Sequence, residues 1–203
     1  ARTRPGLWRA GLAEPFGRAF VARPLRFDLL LSAAALALYL VIAWFVFDGR
    51  PLLIDELAQS IQARIYARGA LWEPEGAHQE FFRTLQMVQH DGKVFAQFPP
   101  GGPALMALGV LVGATWIVGP LCGAAAVWIF AALARRTEAR PSVAAAAALL
   151  FAFAPFMAFM AGSHMNHVPT LALVLLGALG IVASAQSPVP RPWWGLASGL
   201  GFG

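Results

Sequence analysis

Charge is what this chain has least of. Only 12% of its 203 residues are charged, about half the share of an ordinary soluble domain, while 59% are hydrophobic. Mean hydropathy is +0.64. That composition predicts an integral membrane protein whose solvent is lipid. Cysteine is nearly missing as well. Cys122 stands alone inside an apolar run, which excludes a disulfide framework. Lysine is equally scarce: Lys93 is the one exception among 15 basic residues, the others being arginine. The net charge of +5 sits in loops beside apolar segments, so it reads as membrane topology and anionic-lipid contact rather than nucleic-acid binding. No small-residue cleavage site follows the first apolar run. A phosphate-binding glycine loop, a dinucleotide fingerprint, a zinc-protease helix and a nucleophile elbow are all missing, as is the internal repeat of a two-half transporter.

What is present is an all-α pattern, a polytopic bundle of transmembrane helices with an outside loop carrying amphipathic surface helices. Residues 1–27 alternate arginine with Leu7, Trp8, Leu12, Phe16 and Phe20, as a helix in the cytoplasmic interface does, broken at Pro15 and Pro24. Spans are expected at about 28–47, 116–133, 142–161 and 169–185, with a polar loop over 49–100 and a short apolar piece over 104–112. The third span contains Pro155. The stretch from about 193 reads as the opening of a further span. With a start that is not Met, the whole reads as the N-terminal part of a longer protein. Six arginines precede the first span, and Arg135, Arg136, Arg140 and Arg191 fall on the same side by span counting. By the positive-inside rule that side is the cytoplasm, which puts 49–100 and 162–167 together on the other face.

Three polar groups carry candidate chemistry. Asp55 and Glu56 follow the first span, on a segment with an apolar stripe at Leu57, Ile61 and Ile65 that predicts a helix lying on the membrane surface. Ionisable groups near hydrocarbon are costly and lean towards function. Neighbours on a helix diverge by about 100°, so one acid is expected to face a cavity while the other caps or pairs locally; helix capping alone is the competing reading. His164 and His167, with Ser163 and Asn166, form the second group. Histidines three apart at a helix start can share a face and bind a metal or a phosphate, or the segment is a plain interfacial turn. The third group, His90-Asp91-Gly92-Lys93, reads as a hairpin turn whose Lys93, with Arg83, can hold a phosphate. A short 162–167 connection predicts that His164, His167 and Asp55 face one cavity.

In order along the chain, Ile54-Asp55-Glu56, Gln62-Ala63-Arg64, Glu80-Phe81-Phe82, His90-Asp91-Gly92-Lys93, Phe98-Pro99-Pro100-Gly101, Trp116 to Pro120, Ala134-Arg135-Arg136 and Gly162 to His167 resemble the GT-C superfamily of membrane glycosyltransferases. The branch is that of the dolichyl-phosphate-mannose protein mannosyltransferases and lipid A aminoarabinose transferases. The resemblance runs from about residue 28 to 186. It implies an inverting enzyme of the bacterial plasma membrane that takes a sugar from a polyprenyl phosphate and passes it to a lipid, glycan or protein acceptor outside the cytoplasm. Asp55 then matches the catalytic acid after the first span, with Glu56 completing the pair. Arg64, Arg83, His90, Lys93, His164 and His167 are the candidates for the donor phosphate. A divalent metal at Asp55, His164 and His167 is the one candidate cofactor. Many members carry another acid between the third and fourth spans; here His164, Asn166 and His167 stand there instead, so neither a second acid nor a fixed metal requirement carries over. A transporter or lipid flippase, or a non-catalytic assembly subunit, is the alternative class.

Overall fold

The computed structural model describes residues 13–76, 85–189 and 191–202. Helix dominates it. Among the described residues the order is α1 (Ala13–Ala22), α2 (Pro24–Val41) continued by a π turn (Ile42–Val46), α3 (Ile54–Ala67), α4 (Gly101–Leu111), a 3₁₀ turn (Thr115–Ile117), α5 (Val118–Thr137), α6 (Pro141–Phe153), α7 (Pro155–Gly162), α8 (His167–Ala185) and α9 (Pro192–Phe202). Among the described residues, three stretches are long and apolar enough to cross a membrane: Pro24–Val46, Thr115–Thr137 and His167–Ala185. At 1.5 Å per residue, the 23-residue stretches reach about 35 Å, beyond the roughly 30 Å of bilayer hydrocarbon.

Two proline expectations change. Pro15 does not break α1 but sits in its first turn, where a missing N–H costs nothing. The third span, expected as one segment over about 142–161 with Pro155 inside it, is a pair, α6 and α7, bent by 46°. Pro155 has no N–H to donate and pushes the residue before it out of helical geometry; Ala154 accordingly has ψ 130. Counted as one crossing, the pair brings the spans to four.

The chain divides into two compact units. The first comprises 1–35, 124–154 and 172–203. At its heart is an ion pair between Asp28 and Arg135, with Nη1 donating to Oδ1 at 2.7 Å and Nη2 to Oδ2. Asp28 is only 3% exposed, so the bidentate partner is what makes its burial tolerable. The Arg135 guanidinium also lies 4.5 Å from the centre of the Phe20 ring, which meets Phe27 edge-on. Phe130 stacks on Phe151, and Gln186 exchanges two hydrogen bonds with Arg136.

The second unit comprises 36–123 and 155–171. In it α3 packs along α4 and carries a three-stranded sheet of β1 (Glu73–Pro74), β2 (Met87–His90) and β3 (Lys93–Ala96) in the order β1-β3-β2. The expected hairpin is there. Asp91 and Gly92 both take positive φ, 50° and 73°, as a two-residue turn matched to strand twist requires. His90 pairs with Lys93 across it. Gln62 fastens the sheet to the helix: its Oε1 accepts from the Ala96 N–H at 2.8 Å and its Nε2 donates to the Leu71 carbonyl at 3.0 Å.

The apolar stripe of α3 needs correction. Ile65 is buried, but Leu57 is exposed and Ile61 half-buried; the buried face is Glu56, Ala58, Gln59, Ser60, Gln62, Ala63 and Ile65. On this buried face Glu56 and Gln62 find backbone partners, while Gln59 Oε1 and the Ser60 hydroxyl have none among the described residues. Glycines allow close packing elsewhere in this unit. A Cβ on Gly119 would lie 2.5 Å from the Ala161 carbonyl oxygen, and one on Gly162 would lie 2.7 Å from the Ile42 side chain.

Candidate functional site

The first turn of α3 divides its two acids. Leu53 occupies the N-cap in an extended conformation and has no polar side chain with which to cap. Glu56 does it instead. Its Oε2 accepts from the Leu52 N–H at 2.7 Å and the Leu53 N–H at 3.3 Å, satisfying amides that the helix leaves open. Glu56 is 2% exposed. Asp55 points away by the helical increment and is half-buried. Among the described residues it has no hydrogen bond or ion pair. One turn further along its side of the helix is Gln59, which is buried with an unpartnered Oε1.

His164 feels the charge of Glu56. It is 5% exposed, and neither ring nitrogen has a partner among the described residues. Burial pulls its pKa below the usual imidazole value of 6.5, and the Glu56 carboxylate opposes that shift without cancelling it. The ring is therefore neutral at pH 7, a donor at one nitrogen and an acceptor at the other. The turn that presents it is closed locally: the Ser163 hydroxyl donates to the Met160 carbonyl at 3.0 Å and accepts from the Met165 N–H at 3.2 Å. Asn166 fits against the start of α4, where a Cβ on Gly102 would lie 2.0 Å from its Oδ1. His164, Asn166, Ser163, Thr115, Gly102 and Gly119 contribute to a cavity of about 10 Å³. That is room for about one water molecule, which would have the His164 ring and Asn166 Oδ1 as partners.

The other candidates do not converge here. His167 is exposed at the first position of α8, whereas His164 precedes that helix in the turn, so the two do not share a helix face. Among the described residues no group of three or more His, Cys, Asp and Glu is placed to hold a metal ion, so Asp55, His164 and His167 do not form one. Asp55 does not line the cavity, and Glu56 rather than Asp55 is the acid whose charge acts on His164. Arg64 is exposed, nine residues beyond Asp55, which turns it to the opposite side of α3 about 13 Å along the axis. His90 and Lys93 lie at the exposed hairpin turn with local partners: His90 Nε2 is 3.3 Å from Asp91 Oδ2, and Lys93 Nζ is 5.1 Å from the Trp72 ring centre. Arg83 lies outside the described residues.

Gln59, Ser60 and Gln62 belong to the polar face; of the three, the sequence analysis names only Gln62, within the resemblance. A signal was available: Glu56, Gln59, Ser60 and Gln62 recur at helical spacing beside the apolar stripe. What the arrangement offers chemically is one half-buried carboxylate, unpaired among the described residues, one helical turn from a buried amide. No family model matches the chain, and no curated protein or solved structure matches it.

Proposed function

We propose that the chain forms part of a polytopic membrane glycosyltransferase that moves a sugar from a polyprenyl phosphate to an acceptor outside the cytoplasm, with Asp55 as the base. The observation that carries this reading is the split between the two acids. Glu56 is committed to the helix cap, while Asp55 is half-exposed and unpaired just past an apolar helix long enough to span. A general base needs that freedom, since a carboxylate engaged in a cap is not available to take a proton.

In the proposed step the acceptor hydroxyl or amine gives its proton to the Asp55 carboxylate as its heteroatom bonds to the anomeric carbon. The bond from that carbon to the phosphate oxygen breaks, and the polyprenyl phosphate leaves with the electron pair. Developing charge on the phosphate calls for cations, and Arg64, His90 and Lys93 lie on the same polar segment. The arginine excess beside the spans supports a plasma-membrane location with this segment outside.

The test is transfer of labelled sugar from a polyprenyl-phosphate donor by the full-length protein in lipid nanodiscs. Asp55→Asn should insert normally and lower turnover about 100-fold or more. Glu56→Ala should act through the fold instead, costing about 1 kcal/mol and speeding amide exchange at Leu52 and Leu53. An Asp55→Asn protein with full turnover removes the assignment.

A further inference from the structure

We propose that a notch between α1 and α6 binds the phosphate headgroup of an anionic phospholipid. The proposal needs only that the apolar helices lie in a bilayer, and it stands or falls independently of sugar transfer.

The notch measures about 600 Å³ and is lined by Gly17, Arg18, Val21, Ala22, Pro141 and Ser142. Its walls are fixed. Gly17 lies flush with the first turn of α6, where a Cβ would come within 2.9 Å of the Ser142 nitrogen. Phe20, fully buried, is held beneath the Arg135 guanidinium. The opening therefore comes from two seated helices, and its volume is within the range of sites for small organic ligands.

Charge selects the ligand. Among the residues of this unit whose side chains are described, seven are arginine: 18, 23, 26, 135, 136, 140 and 191. Only Asp28 and Glu138 are acidic. Counted over the unit's whole sequence, the balance is ten arginines against Glu14, Asp28 and Glu138. Arg18 is in the notch itself, and Arg23 follows Ala22 of its wall directly in the chain. An anion is the complement of this surface, and the choline of a zwitterionic lipid would meet its own sign. Apolar exposure then selects a lipid over a free phosphate. Val21 is 54% exposed in the notch, and Leu25, Leu29 and Leu30 continue outward-facing on α2 at 61%, 50% and 73%. A soluble phosphate has no use for that surface, whereas an acyl chain hanging from the headgroup covers it.

The full chain, purified in detergent, can be titrated with fluorescent phosphatidylglycerol and then with phosphatidylcholine carrying the same label. Phosphatidylglycerol should bind several-fold more tightly. Arg18→Gln and Arg23→Gln should each weaken it about fivefold, the effect of roughly 1 kcal/mol per surface arginine. Ala22→Leu, which narrows the notch without touching charge, should weaken it as well. Arg191→Gln removes the same charge elsewhere in the unit and should change binding by less than about twofold. Glycerol phosphate in solution should not displace the lipid. Equal affinity for the two lipids overturns the proposal. So does an Arg191→Gln loss as large as that of Arg18→Gln, unaltered binding in the Arg18→Gln and Arg23→Gln proteins, or displacement by glycerol phosphate.

Discussion

His164 is a buried imidazole that the protein holds neutral, and that choice ties stability to pH. Its pKa is lowered chiefly by burial, so the unfolded chain takes up a proton that the folded chain refuses. Its contribution is fully present above the unfolded value of about 6.5 and is lost as pH falls through the lower, folded value. Thermal unfolding followed from about pH 7.5 down to about pH 5 should show the midpoint dropping over this window. His164→Gln should flatten the drop while lowering the midpoint at neutral pH, because the cavity then holds an amide in place of the ring. An unaltered pH slope in that variant would mean that another group sets the acid sensitivity. The same residue shows how far the sequence reaches. That His164 sits in a polar turn was legible; that it is buried while His167 is exposed was not. The reason is that Ser163 closes the turn before α8 begins, so spacing counted along a helix did not apply.

The helices were the legible part wherever hydropathy alone decides them. The stretches 23 and 19 residues long stand close to where the apolar runs placed them, since lipid demands an internally bonded segment of that length. The Asp91-Gly92 hairpin was legible for a similar reason, being fixed by backbone preference at two residues. The facing of α3 was not, because the partners that bury Glu56 and Gln62, the Leu52 and Leu53 amides, the Ala96 amide and the Leu71 carbonyl, lie outside the helix and its periodicity. The break at Pro155 was legible as a residue but not as an angle, which depends on what packs around it. Packing at element scale gives its own prediction. In α5, Gly119→Ala would drive a Cβ into the Ala161 and Ser163 carbonyl oxygens at 2.5 and 2.7 Å, both backbone atoms that cannot swing aside. The expected cost is about 1–3 kcal/mol in denaturant unfolding. Gly195→Ala in α9 meets nothing within 4 Å and should be neutral or stabilise by about 0.5–1 kcal/mol through helix propensity alone. Equal effects from the two changes would show that α5 is not packed as described.

At the scale of the molecule, one question is whether α6 and α7 cross the membrane or turn back within it. The arginine distribution predicts a crossing, because it sets Arg140 and Arg191 on one side. In a Cys122→Ser background, a cysteine at exposed Glu75 should react with an impermeant maleimide on intact cells. Cysteines at exposed Ala139 and Val189 should react only after the membrane is opened. Labelling of Val189→Cys from outside while Ala139→Cys stays protected would make the bent pair re-entrant and leave three crossings. The division into two units has a consequence for how the protein is made. The unit holding Glu56 and His164 comprises no residue beyond 171, whereas the other needs 172–203 to join 1–35 and 124–154. On the ribosome the polar cluster therefore has all its parts before α9 is synthesised. Residues 17–35, although they precede the other segments of their unit in the chain, have their full set of neighbours only once 172–203 has been made.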